Sequence, residues 1–508
     1  MASTNAEKDQ FGQLRKARLG LIWALLPKIP LLARVIFSHI LGISETARYL
    51  DLETDVTLTV LRSMLDNPKP RPIAKTQAMT LMDPGVKGRI WISNVASKVP
   101  PETGIRDALL AVIHAMSDSG AREAGFRIPD IVPVEAEWTG YRAAAKPDSR
   151  LPAVSEAQRY AEMMKECKNA TTVLYFHGGA YYLCDPATHR PLAKRLAKLT
   201  GGRVYSVRYR LAPQHPFPAA LLDALVSYFT LLYPPPGSVH EAVSPEDIII
   251  GGDSAGGNLT LALVQTLLEL RRQGRKVAWF GEERDAPLPA GVAVNSPWLD
   301  LAQSMPSWAA NQKWDYLPPP DRPQPPADHV WPATPPRRHL YADDALLLHP
   351  LVSVHLVGGG SWAGAPPVWL CCGWECLADE DRYLAARLAA DGVPVVFEEY
   401  EAMPHVFAAV LPRLAATERC MRGWARFINN ATNATNAAAA AAAADGAGKE
   451  KEKETGVRSS YTYIKAKTLE ESELDVRTLT PYEEKDVFEL AYAKVGRKAP
   501  LPLVSSKL

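Results

Sequence analysis

The chain has little excess of charge of either sign. Across 508 residues, 57 Lys and Arg face 56 Asp and Glu, which leaves a net charge of +1. A chain without a strong net field has no general attraction for nucleic acid or acidic polymers. Its 12 tryptophans are scattered rather than interleaved with basic patches. We therefore expect a small, near-neutral ligand and no nucleic-acid partner.

Cysteine is scarce, and recognisable metal or phosphate motifs are missing. Six cysteines in a chain of this length do not suggest a disulfide scaffold, so we expect reduced thiols in an intracellular compartment. Cys371, Cys372 and Cys376 lie close together, but successive residues of a strand point to opposite faces, so they do not indicate a metal site. The chain has no His-Glu-x-x-His sequence and no Gly-x-x-x-x-Gly-Lys phosphate loop. The sequence thus predicts no metal and no cofactor.

An uninterrupted membrane-spanning run is also missing near the amino terminus. Residues 19–43 are rich in Leu, Ile, Ala and Val, but they are broken by Pro27, Lys28, Pro30 and Arg34. A spanning helix needs about 20 largely apolar residues, and a charge near its middle costs about 2.5 to 3.5 kcal/mol. No small-residue cleavage site indicates a removable signal. We interpret residues 1–60 as amphipathic helices that form part of a cap or lie on a membrane surface.

From Thr171 onward, strand-like and helix-like segments alternate. Runs rich in β-branched and aromatic residues predict strands at 172–176, 203–209, 247–250, 291–295, 367–372 and 395–400. Longer runs between them predict helices at 191–199, 219–232 and 257–272. Such alternation implies an α/β fold, with a mostly parallel central sheet and helices on both faces. We assign residues 61–430 to this domain.

Two segments depart from the alternating pattern. About seventy proline-rich residues separate two predicted strands, and because loops this long are usually functional, we interpret residues 301–347 as an inserted cap. Low-complexity Asn/Thr/Ala and Lys/Glu stretches predict that residues 431–508 form a linker and a free tail. The tail ends in Ser506, Lys507 and Leu508, a tripeptide read by the peroxisomal import receptor. We therefore expect that receptor as a partner and the peroxisome as the location.

The sequence Gly252-Asp253-Ser254-Ala255-Gly256 lies between a predicted strand and a predicted helix. This Gly-x-Ser-x-Gly arrangement is typical of a nucleophile elbow, a tight turn in which side chains at the two glycine positions would collide with backbone. The turn presents Ser254 at the amino end of a helix, where the dipole favours developing negative charge. The alternative is a glycine-rich turn that only caps the helix.

A second glycine-rich sequence, His177-Gly178-Gly179-Ala180, follows another predicted strand. Backbone N–H groups aimed at an oxyanion can each contribute about 3 to 4 kcal/mol to acyl transfer. We expect the N–H groups of Gly178, Gly179 and Ala180, together with that of Ala255, to form an oxyanion hole. His177 is expected to brace the loop.

The general base should lie downstream, because this arrangement runs in the order Ser, acid, His along the chain. His405, just after the strand predicted at 395–400, is the best placed of the 11 histidines. The alternative is a solvated loop histidine. The acid should follow the preceding strand, where Glu375, Asp379 and Asp381 are the candidates.

Together these motifs resemble the hormone-sensitive-lipase-like family of α/β hydrolases over roughly residues 165–425. The matching sequences are His177-Gly-Gly, Tyr209-Arg-Leu-Ala-Pro213, Pro216-Phe-Pro-Ala-Ala220, Gly252-Asp-Ser-Ala-Gly-Gly257 and Met403-Pro-His405. The family's acid usually lies in Asp-Pro-Leu-x-Asp-Glu, which aligns with Glu375-Cys-Leu-Ala-Asp-Glu380. The resemblance implies Glu375 as the acid, with Asp379 as the alternative, and an α/β-hydrolase fold with a helical cap.

The motifs and the resemblance predict a serine esterase. It would cleave a carboxylic ester of a small or medium hydrophobic substrate through an acyl-enzyme, in peroxisomal secondary or lipid metabolism. An acyltransferase or transesterase using the same residues is the alternative, because a fold does not decide the acceptor. A non-catalytic ligand-binding protein is less favoured, since such proteins typically lose a catalytic residue and here Ser254 and His405 are both present.

Overall fold

The computed structural model describes residues 26–66, 69–118, 126–321, 323–445 and 456–497. Residues 1–25 and the tripeptide at 506–508 lie outside these ranges. The strands are β1 Ile90–Ala96, β2 Glu135–Tyr141, β3 Thr172–Phe176, β4 Arg203–Arg208, β5 Ile248–Asp253, β6 Val277–Trp279, β7 Glu282–Arg284, β8 Gly291–Asn295, β9 Val368–Gly373, β10 Val395–Tyr400, β11 Ser460–Ile464 and β12 Glu471–Glu473. The α-helices are α1 Ile29–Ile40, α2 Leu52–Leu65, α3 Ile73–Thr80, α4 Gly104–Met116, α5 Glu156–Glu166, α6 Pro186–Thr200, α7 Ala219–Leu232, α8 Ala255–Arg272, α9 Ser307–Ala310, α10 Ala378–Ala390, α11 Phe407–Val410, α12 Ala415–Asp445 and α13 Glu484–Lys494.

Ten of the described strands form one sheet in the order β1-β2-β4-β3-β5-β8-β9-β10-β11-β12. Neighbours from β4 to β11 pair in parallel, whereas β1, β2 and β12 pair antiparallel with their neighbours. All residues of β3, β5 and β8 are buried, as expected for parallel strands covered on both faces. The predicted α/β fold and its mostly parallel sheet are confirmed.

The two faces of the sheet are covered by different helices. Leu174 and Ile250 pack in a core with α7 and α8, while their chain neighbours Val173 and Ile249 pack in a second core with α6 and α12. This division follows from the pleat, which points successive side chains to opposite faces. Both cores are built from the central parallel strands, so the carboxyl ends of those strands are held at one edge of the sheet.

The amino-terminal helices and the insertion after β8 pack against each other. Arg62, in the last turn of α2, donates hydrogen bonds to the carbonyl oxygens of Lys313 and Asp315 at 2.6 to 3.0 Å. Between 301 and 347 the chain forms α9 and a single 3-10 turn and is otherwise irregular. The expected helical cap is therefore helical mainly in its amino-terminal part.

The expected linker and tail over residues 431–508 is wrong for two stretches. Helix α12 continues as far as Asp445, and β11 adds to the sheet beside β10. Ile464 at the end of β11 is fully buried, and α13 buries Val487 and Ala491. The strand was not predicted because the residues around it are charged. Its own residues favour strands, and its backbone pairs with β10, which would otherwise be an open edge of the sheet.

Within the described ranges, no helix has both the length and the apolar character needed to cross a bilayer.

Candidate functional site

Ser254 lies at the sharp turn between β5 and α8. Its backbone has φ 53° and ψ −123°, a conformation that side chains rarely adopt and that the surroundings must enforce. A Cβ at Gly252 would lie 2.5 Å from the carbonyl oxygen of Gly256, and a Cβ at Gly256 would collide with the carbonyl oxygen of Phe176. Only glycine therefore fits at both positions of the predicted elbow.

His405 lies in the loop after β10 and faces Ser254. Its Nε2 is 2.9 Å from Oγ of Ser254, and its ring is almost fully buried. Burial by itself acts to lower the pKa of His405, but the carboxylates of Glu375 and Asp315 outweigh it, and the pKa is raised above its ordinary value. A neutral His405 held in this way can accept the serine proton.

Glu375 is the acid candidate that reaches His405. Its Oε2 lies 3.5 Å from Nδ1 of His405 and accepts a hydrogen bond of 2.9 Å from the hydroxyl of Ser296. Burial raises the pKa of Glu375, while the nearby His405 acts to lower it. Asp379 lies elsewhere, where its Oδ2 accepts from the N–H of Ser307 at 2.9 Å. The structure therefore brings Glu375, and not Asp379, to the histidine.

The predicted oxyanion-hole residues divide into two groups. Gly179 and Ala180 have φ of 111° and 51° and line the cavity beside Ser254. Ala255 is the first residue of α8, where an N–H group has no acceptor within its own helix. The N–H of Gly178 instead donates to Oδ1 of Asp253 at 3.1 Å. The expectation for Gly178 is corrected, because a carboxylate already occupies its donor.

Asp253 and His177 form the buried support of the elbow. Besides Gly178, Oδ1 of Asp253 accepts the hydroxyl of Tyr175 at 2.5 Å. The ring of His177 stacks on Tyr209 with centroids 4.4 Å apart, and Nδ1 of His177 lies 2.7 Å from the carbonyl oxygen of Gly178. Burial lowers the pKa of His177 to about 3, so this imidazole is neutral at physiological pH. His177 thus braces the loop, as expected from the sequence.

Two polar residues that the sequence reading did not single out join the acid loop to the base loop. The hydroxyl of Ser296, which donates to Glu375, also accepts the N–H of Val406 at 3.1 Å. Asp315 accepts the N–H of His405 at 3.2 Å and that of Cys376 at 2.8 Å. Ser296 directly follows β8, at the edge of the sheet where ligands bind in parallel α/β folds. Its position in the sequence could therefore have marked it as a candidate site residue. Asp315 lies in the irregular insertion and gave none.

Ser254 and His405 open into a cavity of about 860 Å³. Its lining is mostly apolar and comes from several parts of the chain, including Leu65 from α2, Trp298 after β8, Leu317 from the insertion and Val495 beside α13. An apolar cavity of this kind with a few convergent polar groups is typical of small-molecule sites. Among the described residues, no group of three or more His, Cys, Asp or Glu side chains could hold a metal ion.

Comparisons with known proteins show which proteins this chain is similar to. A family model described as the alpha/beta hydrolase fold matches residues 173–409. An acetyl-hydrolase of Streptomyces hygroscopicus is 32% identical over 268 residues, which are 52% of this chain and 77% of that protein. The esterase LipU of Mycobacterium tuberculosis is 31% identical over 51% of this chain and 78% of its own length. A crystal structure of an esterase from the bacterial hormone-sensitive lipase family aligns at 24% identity and a TM-score of 0.42, covering 65% of this chain and 99% of that one.

Proposed function

This chain belongs to the hormone-sensitive-lipase-like family of α/β hydrolases and is an ester hydrolase, and we propose that it acts through Ser254, His405 and Glu375. The observation that supports this most directly is the 2.9 Å contact between Nε2 of His405 and Oγ of Ser254 at the edge of an apolar cavity. A base within hydrogen-bond reach of a hydroxyl is the basic requirement for an activated serine.

In the proposed acylation step, His405 removes the proton of Ser254 as the serine oxygen attacks the ester carbonyl. The developing oxyanion accepts hydrogen bonds from the N–H groups of Gly179, Ala180 and Ala255. Glu375 stabilises the imidazolium through Nδ1. The protonated His405 then gives its proton to the departing alcohol, and the acyl group stays on the serine.

Deacylation repeats the same sequence with water as the nucleophile. His405 removes a proton from water, the resulting hydroxide attacks the acyl-serine, and the proton returns to Oγ of Ser254 as the carboxylic acid leaves. The mostly apolar lining of the cavity favours esters whose acyl or alcohol part is hydrophobic and small or medium in size.

The direct test is covalent labelling with a fluorophosphonate probe, followed by mass mapping of the modified residue. We expect modification of Ser254 in the native chain and none in Ser254→Ala, which should also lose ester turnover while keeping its thermal midpoint. Labelling of another serine, or turnover retained by Ser254→Ala, would contradict the proposal.

The acyl acceptor is tested by product analysis. We propose water, in line with the names of the relatives, which are hydrolases and esterases. With a chromogenic ester and an added alcohol or amine, free carboxylic acid should remain the main product. Quantitative transfer to the added acceptor would instead favour the acyltransferase alternative.

We also propose that α1 contacts the surface of an anionic membrane. Its residues Ile29, Ile36, Phe37 and Ile40 recur at helical spacing and are all exposed, with Phe37 at 65% and Ile40 at 69%. Such a stripe, with no charged member, is typical of helices that lie in a lipid interface. Residues 11–44 include five Lys or Arg and no Asp or Glu, a charge balance that complements anionic headgroups.

Vesicle flotation tests this contact. The purified chain should float with phosphatidylcholine vesicles that contain phosphatidylserine, and less with phosphatidylcholine alone. The double variant Phe37→Ser with Ile40→Ser should lose flotation, whereas Val154→Ser, which also replaces an exposed apolar residue, should keep it. Binding that is unchanged in the double variant would refute the role of α1, and concentration-dependent dimers without lipid binding would assign the stripe to a second copy of the chain.

For the location, we propose that Ser506, Lys507 and Leu508 direct the chain to the peroxisome. A fluorescent protein fused ahead of residue 1 should overlap with a peroxisomal marker. Removal of the three residues should make the signal diffuse, and an unchanged pattern after their removal would contradict this proposal.

A further inference from the structure

Three buried carboxylate oxygens next to the proposed triad have no hydrogen-bond donor among the described residues. They are Oε1 of Glu375 and both Oδ atoms of Asp381, and neither side chain is exposed. The neighbouring Glu380 is equally buried, but it accepts the N–H groups of Leu299 and Asp300 at 2.7 and 3.1 Å. A buried acceptor left unpaired loses its hydration without replacement, and the cost is greater for a charged group, so this cluster needs an explanation.

The unpaired oxygens belong to two side chains that contact each other. Burial raises the pKa of Asp381 well above its ordinary value, and the nearby carboxylates of Glu375 and Glu380 raise it further. Two ionised carboxylates are both acceptors and cannot bond to one another. A single proton between them converts two unpaired acceptors into one hydrogen bond.

The surroundings decide which carboxyl keeps the proton. Oε2 of Glu375 accepts the Ser296 hydroxyl and faces His405, so the ionised form is stabilised there. Asp381 faces Glu375, Glu380 on its own helix, and the Cys372 thiol of β9.

The cation whose charge acts on Asp381, Arg382, is committed elsewhere. Arg382 acts to lower the pKa of Asp381, but its guanidinium binds both carboxylate oxygens of Glu399 at 2.6 and 2.9 Å. The charge is therefore better placed on Glu375, and the proton on Asp381.

We propose that Asp381 is a positioning residue that stays protonated at neutral pH and donates a hydrogen bond to Oε1 of Glu375. The pair then carries one negative charge, and Oε2 stays directed at His405. This role rests on the proposed function, because it acts through the triad acid and Asp381 touches neither substrate nor serine. The protonation itself is independent of catalysis.

The first test measures protonation through stability. A carboxyl whose pKa is higher in the folded than in the unfolded chain makes the fold less stable as pH rises above its unfolded value of about 3.9. Asp381→Asn removes that effect, so its thermal midpoint minus that of the native chain should increase from pH 5 to pH 8. Asp379→Asn, two residues earlier on α10, is the matched control, because its carboxylate accepts the N–H of Ser307, and it should show no such increase. A constant difference for Asp381→Asn would overturn the proposal.

The second test separates positioning from packing. Asn can still donate to Glu375, whereas Leu of similar size cannot. We expect Asp381→Asn to keep kcat within about threefold, and Asp381→Leu to lower kcat by about tenfold or more with little change in KM. Equal activity of both variants and the native chain would overturn the positioning role, as would equal losses in both. A third outcome separates the two proposals. If neither the native chain nor its variants hydrolyse esters, but the difference in thermal midpoint still grows with pH, the proposed function is contradicted and the protonation of Asp381 is supported.

Discussion

The elbow around Ser254 and the cap that faces it are built by opposite means. At the elbow, the backbone of neighbouring segments approaches so closely that Gly252 and Gly256 have no space for a side chain. The inserted part of the cap is mostly irregular and packs against α2 through hydrogen bonds, such as that from Arg62 to Asp315, and through apolar side chains such as Leu58 and Trp314. Under the proposed function, we expect the chemistry to depend on this backbone geometry and the choice of substrate to depend on contacts made by the cap.

If this contrast holds, the largest effect comes from the acid behind the elbow. Glu375→Gln should lower kcat by about 10³- to 10⁴-fold, because the amide no longer holds His405 in the required tautomer or stabilises its charged form. Asp379→Asn serves as the matched control and should stay within about tenfold, since its carboxylate binds Ser307 rather than His405. Steady-state kinetics on one chromogenic ester checks both. Comparable losses in the two variants would remove the distinction between the two acids.

A smaller effect is expected from pH. The raised pKa of His405 means that the ring is still partly protonated just above 6.5, and a protonated ring cannot accept the serine proton. The value of kcat/KM should therefore rise with pH through an apparent pKa above 6.5, by about tenfold per unit on the acid side. Profiles measured with an ester that does not ionise test this. A midpoint below 6.5 would mean that burial outweighs the carboxylates around His405.

The smallest effect is expected at the cap. Arg62→Ala removes hydrogen bonds to the carbonyl oxygens of Lys313 and Asp315, so the cavity wall should loosen while the elbow stays intact. We expect KM to rise about three- to tenfold and kcat to change by less than about twofold. Arg71→Ala is the control, because Arg71 contacts Met79 of α3 and neither residue belongs to the insertion. A loss confined to kcat in Arg62→Ala would mean that the cap also orders the catalytic residues.

Features of this protein that follow from local rules are predictable from its sequence, whereas features that depend on long-range contacts are not. The strands before Ser254 and His177 were found because buried parallel strands are short apolar runs followed by turn residues. Strand β11 was missed, since its five residues lie in a charged stretch and become a strand by pairing with β10. Gly178 was assigned to the oxyanion hole because a motif cannot show that Asp253 occupies its N–H.

The sequence by itself determined the parallel α/β architecture, the elbow at Ser254 and the choice of His405. Each follows from a local requirement: a hydrophobic period, a backbone angle that needs glycine neighbours, or the chain order of the catalytic groups. Only the tertiary structure showed that Glu375, and not Asp379, lies against His405, and brought Asp315 from the insertion to the loops of His405 and Cys376. It also placed Asp381 against Glu375. These outcomes depend on which buried groups meet across the fold, and the spacing of residues along a chain does not contain that information.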